Sequence, residues 1–188
     1  MSDYYVTATP QPSRFSRKTL IIGGGGLVAI IIAVALLLGS GGNGLSTQLQ
    51  HLSLRISTLQ SLLENNTDTA NIHSENLDQL VTDLDLTLTS NKNQLAPIMT
   101  ADGMPSNFDK NIITSETDTS TATKLNDANL NNEFDQAYAQ VLGEKITSLR
   151  ALVAETYAMA KDVKLRQVLT SLDNNLDDSQ KRLNALNL

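Results

Sequence analysis

LSTQLQHLSLRISTLQSLL, residues 45–63, sets Leu45, Leu49, Leu52, Ile56, Leu59 and Leu63 at alternating steps of four and three. That spacing puts all six on one stripe of an α-helix, while Ser, Thr, Gln, His51 and Arg55 occupy the remaining face. Each side chain on such a seam gains about 1.5–3 kcal/mol when buried, so the stripe demands partner helices. A lone helix would leave it in water.

The partners follow along the chain. Glu64-Asn65-Asn66-Thr67-Asp68-Thr69 supplies turn formers and capping side chains, and a second helix is expected from Ile72 to Ser90 with Leu77, Leu80, Val81, Leu84 and Leu88 on one side. Its seam keeps the heptad phase of the first, so one long coiled-coil-like helix with a polar middle competes with a hairpin. From Asn91 to Lys124 the period dissolves around Pro97, Gly103 and Pro105. This is a long polar connection, and its Thr114–Thr121 run of Ser and Thr reads as solvated spacer. A third helix is expected from near Asp127, carrying Leu130, Phe134, Tyr138, Val141, Leu142, Ile146, Leu149, Val153, Tyr157 and Ala160. Asp162 stands where an N-cap belongs, and a fourth helix follows with Leu165, Leu169, Leu172, Leu176, Leu183 and Leu186 on a seam broken at Ser179. The expected fold class is all-α, with a four-helix bundle over residues 45–188 made of two hairpins and one long connection. With 40% hydrophobic but only 4% aromatic residues, its core must be aliphatic.

Upstream, Thr19–Gly39 reads TLIIGGGGLVAIIIAVALLLG and carries no charge. About 20 residues at 1.5 Å rise match the roughly 30 Å hydrocarbon core of a bilayer, and a dozen Leu, Ile and Val give roughly −4 to −7 kcal/mol toward insertion before the glycines take some back. The stretch is therefore expected to be a transmembrane helix. Gly25, Ala29 and Ala33 form a small-residue stripe suited to packing of one span on another, in competition with the plain abundance of glycine in membrane helices. Residues 1–18 form a tail with Pro10, Pro12 and a basic cluster of Arg14, Arg17 and Lys18, which by the positive-inside rule places the N-terminus in the cytoplasm and the bundle outside it. Residues 40–44, Ser-Gly-Gly-Asn-Gly, read as a flexible hinge. A cleaved signal peptide competes weakly, for lack of a good cleavage site. A lipoprotein signal is excluded because the chain has no cysteine.

The net charge is −6, and the tail carries +2 from three basic residues against Asp3, which leaves −8 beyond it. Such a surface argues against nucleic acid and disfavours docking onto anionic lipid. The partners this leaves are the bilayer through the span, a protein of unknown identity, and a second copy of the chain.

The stretch Glu133-Phe134-Asp135-Gln136-Ala137-Tyr138, followed past Ala160-Lys161-Asp162 by Leu165-Arg166 and a leucine-seamed last helix, resembles a family. It is the ferritin-like four-helix-bundle family of unknown function found in bacterial exported proteins, and the chain would be a divergent member. The family is similar in its Phe-Asp-x-Ala-Tyr opening, short Lys/Asp break and closing helix, with two earlier helices before a connection bearing glycine and proline, as at Gly103 and Pro105. The histidines usual in the family would fall near Ile146 and near Ser179, and both are missing here.

Chemistry is therefore thin. A di-metal bundle needs Glu-x-x-His pairs, and no Glu here has a His three residues on. His51 and His73 are 22 positions apart, about 33 Å along one continuous helix; in a hairpin they could approach, but neither has a carboxylate at the four-residue spacing of helical metal sites. Asp135, Asp173 and the adjacent Asp177-Asp178 read as solvated helix face, because neighbours on a helix diverge by about 100°. Gly143 marks either a close helix contact or a tolerated surface glycine. No catalytic, metal or cofactor residue is assigned, and the expected role is a non-enzymatic interaction or structural module of the cell envelope. A ferritin-like metal-binding or redox protein is the alternative, and a ligand-sensing accessory subunit a weaker one.

Overall fold

The computed structural model describes residues 44–67, 71–101 and 110–188. The expected tail, the span 19–39 with Gly25, Ala29 and Ala33, and the basic cluster Arg14, Arg17 and Lys18 lie outside the described residues. Among the described residues no helix is long and apolar enough to cross a membrane.

The described chain is all-α. Six helices follow in order: α1 Gly44–Thr67, α2 Glu75–Ala101, α3 Lys110–Glu116, α4 Ser120–Leu130, α5 Phe134–Met159 and α6 Val163–Asn184. The four long ones form a closed square in which α1 packs on α2 and α5, and α6 packs on α2 and α5. Contacts fix the directions. Gly44 meets Met159, Arg55 meets Ser148 and Leu62 meets Tyr138, so α1 and α5 run antiparallel. Gln60 bonds Thr89 and Asp83 bonds Arg182, which sets α2 antiparallel to both α1 and α6. The order is up, down, down, up, with α3 and α4 carrying the chain back along the bundle against α1 and α5 respectively.

The core is built from the expected seams, apart from Leu130 and Tyr157, which are exposed. Leu49, Leu52, Ile56, Leu59 and Leu63 of α1 are buried with Leu77, Leu80, Val81, Leu84 and Leu88 of α2. Val141, Leu142, Ile146, Leu149 and Val153 of α5 and Leu165, Leu169, Leu172 and Leu176 of α6 complete the interior. Residues 71–74 are not helical and α1 lies against α2, so the hairpin holds and the single long helix does not. Asp162 caps α6 as its sequence position implies, its carboxylate accepting from the Leu165 N–H at 2.7 Å.

Several boundaries differ from expectation. Gly44, the last residue of the expected hinge, is the first of α1. α2 runs on to Ala101 through Pro97, because Leu95 is buried and Ile98 and Met99 pack against the core, holding the last turn where proline removes one backbone bond. The connection is itself largely helical. Ile112 of α3 and Leu125 and Ala128 of α4 are buried, which anchors these short helices to the bundle. The helix expected from Asp127 is instead two. Asn132 adopts φ 58°, Glu133 N–H bonds Ala128 O at 2.9 Å and Asn132 N–H bonds Asn129 O at 3.3 Å, a Schellman ending with Asn in the left-handed position. Leu130, read as core, is consequently 75% exposed.

Candidate functional site: the clamp under the crossover

α1 presents His51 and Arg55, four residues apart, on the side facing α3. Arg55 donates from Nε to Glu116 Oε2 at 2.8 Å and from Nη2 to Glu116 Oε1 at 2.6 Å, a two-point fork that a lysine could not reproduce. Its Nη1 donates to the carbonyl oxygen and the hydroxyl of Ser148 on α5, both at 3.1 Å. His51 Nδ1 stands 2.9 Å from Glu116 Oε1. One carboxylate thus ties the end of α3 to α1, and one guanidinium ties both to α5. The Glu116 side chain is 9% exposed. Burial pushes its pKa up, but the hydrogen bonds and charges of Arg55 and His51 outweigh that and hold it below the usual value.

Two residues on, Asp118 opens α4. It accepts from the Ser120 N–H at 2.9 Å and the Thr121 N–H at 3.2 Å, and from both hydroxyls. Lys145 of α5 donates to Oδ2, the oxygen that also accepts from the Thr121 hydroxyl. The Lys145 bond, then those of Thr121 and Ser120, hold the Asp118 carboxyl far below its ordinary range. Between this strap and the bundle lies a cleft of about 740 Å³. Arg55, Glu116, Asp118 and Lys145 line it together with Leu59, Leu125 and Phe134. The charged side chains at its wall bind one another, Arg55 with Glu116 and Lys145 with Asp118, so the arrangement clamps the crossover to the bundle. The Ser/Thr run read as spacer therefore holds the two carboxylates of the clamp. Its detectable signal was Asp118 ahead of Ser120-Thr121, a cap pattern before the apolar positions Leu125 and Ala128.

The other singled-out residues separate. His51 sits in the clamp, whereas His73 is 81% exposed and lies 4.0 Å from Asp135 at the far end of the hairpin. Asp135 accepts from the backbone N–H groups of His73 and Ser74 at 2.7–3.2 Å and so pins the α1–α2 turn to the start of α5. Asp173 and Asp177 are not simply solvated: both pair with Arg150 of α5, at 3.0 and 2.8 Å, and Asp177 also pairs with Lys181. Asp178 is exposed. Ile146 is fully buried among aliphatic neighbours, and buried Ser179 donates to the Asn175 carbonyl at 2.9 Å. Among the described residues no three His, Cys, Asp or Glu gather closely enough to hold a metal ion. At Gly143 an added Cβ would stand 3.4 Å from Gln180 Nε2 and Leu183 Cδ2, so α6 lies over it without needing the glycine.

No family model matches the chain, and neither a curated protein nor a solved structure shows significant similarity to it.

Proposed function

We propose that the protein is a single-pass, membrane-anchored helical bundle with its N-terminus in the cytoplasm and the bundle outside, serving as a non-enzymatic interaction or structural module of a bacterial cell envelope. The observation that carries this is the uncharged stretch 19–39 set five residues before a helix whose seam is closed by an aliphatic core. The charged clusters support the same reading, since Glu116, Asp118, Asp135, Asp173 and Asp177 each bind across helices and spend their charge on holding the bundle together. Two antiparallel hairpins joined by one long crossover is also the connectivity of ferritin-like bundles, which supports a divergent place in the exported family of unknown function.

The test is made on the full chain in its own membrane. Alkaline washing should leave it in the membrane pellet, and protease added from outside should cut the bundle but spare the first 18 residues. Release by the wash would sink the anchor. Gentle solubilisation followed by mass spectrometry should then recover a protein at fixed stoichiometry, whereas the chain recovered alone beside an intact control complex would count against an adaptor role.

A further inference from the structure

The turn from α5 to α6 carries an exposed cluster of apolar and basic side chains. Val163 is 67% exposed, Tyr157 41% and Met159 37%, and they are interleaved with exposed Lys161, Lys164 and Arg166. Arg166 lies 5.1 Å over the Tyr157 ring and donates from Nε to the Ala160 carbonyl at 2.6 Å, so its cation is held beside the apolar group. Among the described residues no carboxylate pairs with Lys161 or Lys164, while Asp162 is engaged as the cap of α6. Apolar side chains, a tyrosine and basic groups together suit the headgroup layer of a bilayer, where aromatic rings and cationic side chains concentrate.

Position selects the occupant. The Met159 methyl stands 2.7 Å from where a Cβ on Gly44 would be, so this turn sits beside the first residue of α1. From Gly39 to Gly44 the chain spans five Cα steps, at most about 18 Å. We infer that the α5–α6 turn docks on the headgroup layer of the bilayer that holds the anchor, with Tyr157, Met159 and Val163 entering it and Lys161 and Lys164 meeting anionic lipid. This rests on the reading of residues 19–39 as a span. The charge of −8 beyond the tail describes the surface as a whole. Over residues 155–166 the basic Lys161, Lys164 and Arg166 stand against Glu155 and Asp162.

The chain has no cysteine, so Val163→Cys and Leu86→Cys each accept one environment-sensitive fluorophore. Leu86 is exposed midway along α2, away from the turn. Full-length protein is reconstituted in vesicles of phosphatidylcholine and phosphatidylglycerol. The expected result is blue-shifted emission at 163 that lipid-borne nitroxide quenches, and water-like emission at 86. Water-like emission at both sites in protein that withstands alkaline washing overturns the docking and leaves the anchor standing. Release by the wash overturns both. Adding Lys161→Glu and Lys164→Glu should abolish most of the quenching at 163, and unchanged quenching overturns the part assigned to anionic lipid.

Discussion

Arg55 and Glu116, separated by 61 residues of chain, meet through two parallel hydrogen bonds at 2.6 and 2.8 Å and thereby fasten the crossover to the bundle. Glu116→Gln keeps the shape and removes the charge. It is expected to lower unfolding free energy by roughly 1–2 kcal/mol, the lower part of the range for charge-assisted bonds because 27% of the Arg55 side chain faces water. Hydrogen exchange should quicken over residues 110–130 and stay unchanged in α6. Unchanged exchange across 110–130 would mean that apolar contacts of Ile112 and Leu125 hold the strap alone.

The same carboxylates set a direction for acid. Glu116 lies below its ordinary value of 4.5, and Asp177 below 3.8 through its Lys181 hydrogen bond and the Arg150 charge. A carboxyl lowered on folding contributes stability that is complete above the ordinary value and is lost as pH falls through the folded one. The urea midpoint should therefore decline as pH drops below about 4.5. In Glu116→Gln that decline should be shallower, and parallel curves for the two proteins would rule Glu116 out as its source.

Asn132 ends α4 at φ 58°, where a Cβ crowds the backbone. Asn132→Ala should cost about 1 kcal/mol, and Asn132→Gly should be neutral or gain a few tenths. Thermal melts of both variants check this, and equal melting temperatures for Ala and Gly would contradict it.

Gly143 lies in the middle of α5 with room for a methyl group at contact distance from Leu183. Gly143→Ala should raise stability by about 0.5–1 kcal/mol through the helix preference of alanine. A fall in stability would show that α6 cannot give way even slightly there.

The long helices were legible because their period is local: Leu49 to Leu63 and Leu165 to Leu176 announce a buried stripe within a few turns. The crossover was not, because Glu116 finds Arg55 across 61 residues and no local period marks a long-range ion pair. Pro97 argued against helix and was overruled by tertiary packing of Ile98 and Met99. Leu130 fell in phase with the α5 seam, and only the left-handed Asn132 takes it out of the core. Asp173 and Asp177 were read as solvated helix face, but a spacing of four places both beside Arg150.

The up, down, down, up order also has a mechanical consequence. α1 starts at one end of the bundle, α6 finishes at the other, and the two are diagonal partners linked laterally through α2 and α5. A pull applied between Gly44 and Asn184 therefore runs lengthwise and loads the leucine seams in shear, all together, in place of peeling one helix away at a time. A body held at its base and tugged at its tip would resist as a unit and then yield abruptly.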